Sequence, residues 1–229
     1  MTQEEKPEGR LEDKALEMLG ERTSLQDELT QISSQIELSI QAGIQSRIDK
    51  IEGQIKELNS SNSNSYEERK LKQAMESCVK GLYEAKQGRN EEAIGNYKFA
   101  ALISSDYAEA HCLLGSTFFG MGMSSAFPAN ARRSFLEEAE YNLEIAIRID
   151  PKNEEPYNTM GHTLMILDDT EGAISYCKKA IRINPGNPSN YGLLGTLLRK
   201  KGENEEADNA FKTATDLINK ANQDKGRKK

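Results

Sequence analysis

Between residues 11 and 58 apolar side chains recur at Leu25, Leu29, Ile32, Ile36, Ile40, Ile44, Ile48, Ile51, Ile55 and Leu58, with polar residues between them and no proline. The nine steps cover 33 residues, or 3.67 per step. This spacing predicts one long amphipathic helix whose seam follows the eleven-residue period of a nearly straight or right-handed coil, not the 3.5 of a heptad. Upstream, Leu11, Ala15 and Met18 lie closer to heptad spacing, and Arg22 interrupts the run. A stripe of this length requires a cover. A second copy of the helix would make a homodimeric coiled coil, folding back would cap the edge of the following domain, and a break at Gly43 would make a helical hairpin. Ten successive apolar positions exceed what one domain edge covers, which favours self-association along the seam.

Downstream the pattern changes to a repeat of helical pairs. Copies starting at Ala74, Ala108, Glu154 and Pro188 place Gly81, Gly115, Gly161 and Gly195 at their eighth position. The first and last steps are 34 residues and the middle one is 46, so the second copy carries twelve extra residues. Allowing for them, the twentieth place holds Ala93, Ala139, Ala173 and Ala207, and the twenty-seventh Ala100, Ala146, Ala180 and Ala214. Large residues stand at the seventh place (Leu114, Met160, Leu194) and the twenty-fourth (Tyr97, Leu143, Phe211). Glycine lets the first helix of a pair approach its partner, and alanine lets the second sit against it. Pro151 and Pro185 close units where a proline ring ends a helix.

In these residues the chain resembles the tetratricopeptide repeat family, a helix–turn–helix unit of 34 residues. Lys80, Cys177, Ser105 and Asn219 depart from its pattern. The resemblance covers residues 74 to about 221. It implies an all-α fold, a right-handed α-solenoid of about four repeats preceded by the long amphipathic helix. The expected order is a disordered start (1–10), the helix (11–58), a flexible Ser/Asn linker (59–66), the repeats (67–221) with an insertion near 122–133, and a basic disordered tail (222–229).

Composition narrows the function. With 29% charged and 36% hydrophobic residues the chain reads as soluble and helical, and four repeats exceed the three or so a solenoid needs. A net charge of −7 argues against a general nucleic-acid binder, and the run Lys225–Lys229 is too short to alter that. No apolar run approaches the ~18 residues of a membrane span, and the polar start lacks a secretory apolar segment, so a cytoplasmic protein is expected. Cys78, Cys112 and Cys177 have no metal-ligand spacing, and neither do His111 and His162. The chain has no phosphate-binding glycine loop, nucleophile elbow or histidine–carboxylate motif, so neither an enzyme nor a cofactor is expected. The acidic pairs Glu91-Glu92, Glu137-Glu138 and Glu205-Glu206 suit helix starts and solvated faces.

The resemblance also implies a site. In this family the first helices of successive repeats line a concave surface, with the second, fifth, ninth, twelfth and thirteenth places facing it. Here these include Cys78, Leu82 and Lys86; Cys112, Ser116 and Phe119; Asn158, His162, Met165 and Ile166; and Thr196, Arg199 and Lys200. The groove is expected to be apolar in its middle and basic at one end, taking an apolar helix or extended peptide with an acidic flank. Some relatives clamp the acidic tails of heat-shock chaperones with Lys, Asn and Arg. The matching places here read Cys78, Leu82, Leu113, Glu155 and Thr159, or one repeat on Cys112, Ser116, Thr159, Ser189 and Gly192, so that clamp is absent. The expected function is a peptide-binding adaptor whose helix supplies a second groove by dimerisation. The alternatives are an assembly scaffold stacking through coil and repeat ends, and a co-chaperone without the clamp. In the insertion, Phe127 either contacts a partner or covers its own second helix.

Overall fold

In a computed structural model the described residues are 7–60 and 65–226, with side chains described for 30–31, 33–60 and 65–223. Residues 1–6 of the expected disordered start, 61–64 of the linker and 227–229 of the tail lie outside them, as do the side chains of Leu25, Leu29 and Ile32. Among the described residues there are helices and no strands: α1 (Pro7–Ser60), α2 (Tyr66–Lys86), α3 (Asn90–Ile103), α4 (Ala108–Met123), α5 (Ala129–Ile149), α6 (Glu155–Ile166), α7 (Thr170–Ile183), α8 (Pro188–Lys201) and α9 (Asn204–Gly226). The chain divides into two compact units, Met1–Lys50 and Ile51–Lys229.

In the first unit α1 runs unbroken through Gly43, which excludes the hairpin. Residues 33–40 are exposed throughout, Ile36 and Ile40 at 55% and 57%, whereas Ile48 is buried. In the second unit Ile51 is buried, and the Tyr83 hydroxyl donates to Glu52 Oε1 at 3.5 Å, the long limit of a hydrogen bond. The last turns of α1 thus belong with the repeats. Ser65, read as linker from its composition, opens α2 instead: its hydroxyl accepts from the Glu68 amide at 3.2 Å, and Glu68 Oε2 accepts from the Ser65 amide at 3.1 Å. This is a capping box, which satisfies two amides that a helix start leaves unpaired. At the other end α9 continues to Gly226, five residues into the expected tail.

The pairs α2/α3, α4/α5, α6/α7 and α8/α9 are the four repeats, each packed against the next. All eight register alanines are buried, from Ala93 to Ala214. A Cβ built on Gly115 would stand 2.6 Å from Leu143 Cγ and 3.3 Å from the Ala139 carbonyl, and one on Gly195 would stand 2.9 Å from the Phe211 ring. Gly81 meets Tyr97 in the same way. The eighth-place glycine is therefore the point where the first helix crosses the bulky twenty-fourth residue of the second.

The third repeat solves the crossing differently. Its twenty-fourth place is Cys177, too small to fill the space, and the side chain facing Gly161 is Leu193 of the next repeat, at 2.9 Å from a built Cβ. The Cys177 thiol is buried and donates to the Asn190 carbonyl at 3.0 Å. Burial pushes its pKa up to about 12, so it stays protonated and acts as a small apolar group.

Turns between paired helices fall at the fifteenth place, which needs a left-handed residue: Gly88 (φ 77°), Asp168 (φ 70°) and Gly202 (φ 89°). In the second repeat that place is Gly122, which is buried within α4, and the helix continues past it. The twelve extra residues mostly lengthen α4 and α5, and the turn itself is only Ser124–Pro128. Phe127 closes it by packing edge-on against Phe135 at 5.0 Å, and Phe135 stacks on Phe118 at 6.4 Å. The insertion is thus a longer helical hairpin with its own aromatic seal.

Gly115→Ala is expected to destabilise the fold by about 1–3 kcal/mol, because the backbone carbonyl of Ala139 leaves the methyl no room to shift. Gly192→Ala in α8, where a Cβ meets nothing within 4 Å, is expected to gain about 0.5–1 kcal/mol from helix propensity. Thermal unfolding followed by circular dichroism checks both, and equal shifts in one direction would contradict the packing described.

Candidate functional site: the concave face of the repeats

Among the described residues the first helices touch one another in succession, α2 with α4, α4 with α6 and α6 with α8, while the second helices touch only first helices. In a curved stack the layer whose members lie closest together is the inner one. The first helices therefore form the concave wall of the second unit.

Access along this wall changes from one end to the other. Met75, Cys78 and Leu82 of α2 and Cys112 of α4 are buried. The expectation that Cys78, Leu82 and Cys112 line an open groove is corrected on this point, since buried apolar side chains offer no surface to a peptide. Lys86, Ser116 and Phe119 are half-buried. On α6, Asn158, His162 and Met165 are half-buried and Ile166 is exposed; on α8, Thr196, Arg199 and Lys200 are exposed. The accessible stretch thus begins near Phe119 and runs over α6 and α8.

The basic end is not free either. Arg199 donates to Asp208 Oδ1 at 2.5 Å and lies 4.8 Å from the centre of the Phe211 ring. Lys200 donates to Asp168 Oδ1 at 2.5 Å, and this pairing holds the Asp168 carboxyl below its usual range. Lys201 lies between Glu203 at 2.8 Å and Glu171 at 3.0 Å, and the two pairings raise its pKa to about 12. These exposed pairs contribute little to stability. They do neutralise the cations expected to hold an acidic flank, and that expectation is corrected: the accessible wall is polar and apolar without excess charge.

A polar lock, not foreseen in the sequence, joins the third and fourth repeats. The Glu154 carboxylate accepts from Asn184 Nδ2 at 2.8 Å, Asn187 Nδ2 at 3.1 Å and Asn190 Nδ2 at 2.8 Å. Asn158 Nδ2 donates to Asn190 Oδ1 at 2.6 Å, so this wall residue is committed to the lock. Asn190 is fully buried, and a buried amide needs its partners. The signal was the run Asn184, Asn187, Asn190 at three-residue intervals around Pro185 and Pro188.

Both histidines sit in packed surroundings. His162 lies 6.1 Å from Phe119, ring centre to ring centre, and burial lowers its pKa. His111 Nδ1 is 3.3 Å from Asn142 Oδ1. Asn142 Nδ2 donates to the Glu138 carbonyl at 2.9 Å, which leaves Oδ1 to accept from the His111 ring. Burial lowers the His111 pKa first, and Arg148 lowers it further against the raising effect of Asn142.

For both histidines the folded pKa lies below the unfolded one, so the unfolded state binds protons first as pH falls. Their contribution to stability is full above the unfolded value near ~6.5 and is lost progressively as pH falls from there through the folded values. The melting temperature is expected to fall between pH 7.5 and 5.5, and less so in a His111→Gln, His162→Gln variant. Equal slopes for the two proteins would refute this assignment.

Models of known families match the chain in three places: one described as "TPR repeat" over residues 81–122, and two described as "Tetratricopeptide repeat" over 154–187 and 176–209. No curated protein sequence matches the chain. Solved structures resemble it in fold. TTC0263, a thermophilic TPR protein of Thermus thermophilus, is 17% identical with a TM-score of 0.59, over 84% of this chain and 92% of that one. MamA is 23% identical with a TM-score of 0.57, over 66% of this chain and 81% of that one. The first TPR of Spaghetti (RPAP3), bound to the HSP90 peptide SRMEEVD, is 17% identical with a TM-score of 0.51, over 58% and 95%. Among the described residues no helix is long and apolar enough to cross a membrane. The paired helices, the small-residue crossings they share and the three matched repeat models make this chain a member of the tetratricopeptide repeat family.

Proposed function

We propose that the protein is a non-enzymatic adaptor that holds an apolar, weakly charged segment of a partner protein against the concave wall of its third and fourth repeats. It self-associates through α1, so that two walls act together. The observation that carries this reading is the gradient of access along the wall: buried at Cys78, Leu82 and Cys112, and open over His162, Met165, Ile166 and Thr196. Met165 gives an adaptable apolar contact, Ile166 extends it, and Phe119 with His162 makes a ring-lined floor. With Arg199, Lys200 and Lys201 paired internally, an acidic ligand has no unpaired cation to meet among them. Self-association rests on the exposed Ile36 and Ile40, and two linked walls raise apparent affinity without a new contact.

The test compares affinity capture from native lysate by wild type and by a Met165→Glu, Ile166→Glu variant, with helicity checked first. Both side chains have accessible surface, so the substitutions spare the core in a way that a change at buried Leu82 would not. A partner bound by wild type is expected to be depleted at least tenfold from the variant, the equivalent of about 1.4 kcal/mol. Unchanged recovery of every partner would show that the wall of α6 and α8 is not the site.

A further inference from the structure

We infer that α1 pairs with α1 of a second copy in antiparallel orientation, placing the two repeat units at opposite ends of the coil. This rests on the self-association proposed above and adds the geometry. In the first unit Ile36 and Ile40 are more than half exposed, Ile44 is half-buried and Ile48 is buried. Among the described side chains Ile36 and Ile40 still need a cover, and in sequence the same seam runs from Leu25 to Ile44. Its steps follow the 3.67-residue spacing, so the seam drifts around the helix in the right-handed sense. Only a helix of the same period follows such a seam along its length, and a second copy has that period by construction.

Two features select the antiparallel form. The first is charge. Residues 7–28 contain seven acidic and three basic residues, whereas residues 41–62, which an antiparallel pair centred between Ile32 and Ile36 sets beside them, contain three of each. A parallel pair sets two segments of net charge −4 side by side at the 8–10 Å spacing of packed helices, about one screening length at physiological salt. An antiparallel pair sets each acidic segment beside one of no net charge and brings Glu21 towards Arg47 and Lys50. The second is the seam. Forward from Leu25 its steps are 4, 3, 4, 4 and 4 residues, and backward from Ile44 they are 4, 4, 4, 3 and 4. All six apolar positions therefore overlay on their reverse to within one residue, about a midpoint between Ile32 and Ile36. Direction reversal loses no apolar contact and replaces the contact of two acidic segments by contact of each with a neutral one.

Spin labels on the full-length protein test this, together with its mass in solution. Cys78, Cys112 and Cys177 are buried, so a thiol label goes to an introduced cysteine. Ser46 lies on the face opposite the seam and Gln35 close to the midpoint; both are exposed. A dimer is expected, with a short label distance for Gln35→Cys. For Ser46→Cys the two sites stand about 35 Å apart along the axis, from a rise of 1.5 Å per residue. The Ile36→Asp, Ile40→Asp variant is expected to be monomeric with its repeats folded. A dimer with short distances at both positions would overturn the antiparallel inference and leave self-association standing. A wild-type monomer at micromolar concentration would overturn both, and open-ended growth in mass would point to the assembly scaffold and overturn the closed pair.

Discussion

Two helices cross closely only where one of them presents no side chain at the crossing, and the repeat unit of this protein is arranged around that requirement. Gly115 under Leu143 and Gly195 under Phe211 set the separation within a pair, and the buried alanines of the second helix set its approach to the neighbours. Since each repeat buries apolar surface mainly against the next, this contact, made within three of the repeats and replaced in the third by Leu193 over Gly161, fixes both the pairing and the succession of pairs. The inner wall follows from it: first helices brought into mutual contact form the concave layer, and residues at fixed offsets on them come to line it.

The crossing was legible because it is written in small residues, whose spacing does not depend on what fills the space opposite. What fills it was less so. At Gly161 the consensus place holds Cys177, which in sequence is only a missing bulky residue; the structure fills the gap with Leu193 from the following repeat, sixteen residues beyond it. Gly122 is the converse case. It stands in register with Gly88 and Gly202, yet the insertion lets the helix run through it, and a glycine suited to a turn becomes a glycine suited to close packing against Leu136. A residue type marks a place of unusual demand without saying which demand is met there.

The wall shows the same limit more sharply. Offsets within the repeat correctly put Cys78, Leu82, His162, Met165 and Arg199 on first helices, but access and charge are properties of neighbours. Cys78 and Leu82 are buried in the packed structure, and Arg199 is matched by Asp208, nine residues on and across the turn. Lys200 is matched by Asp168, which belongs to the previous repeat's turn and is itself in the left-handed conformation. Such pairings link places that no single-repeat pattern connects. The Glu154 lock is of the same kind, a carboxylate from one repeat held by three amides around the start of the next.

These pairings bear on what the wall can recognise. A groove with free cations selects acidic ligands by charge, at long range and with strong dependence on salt. A groove whose cations are already paired to its own carboxylates gains little from such a ligand, because the new pair replaces an existing one. Under the proposed function, recognition then comes from shape and apolar contact at Met165, Ile166 and the ring pair Phe119–His162. A single small apolar site gives a weak complex. Two such sites joined through the proposed pairing of α1 would give a stronger one only for a partner that carries the segment twice, or is itself multimeric. Under the proposed function the wall would supply specificity for a segment, and the pairing of α1 would supply specificity for its repetition.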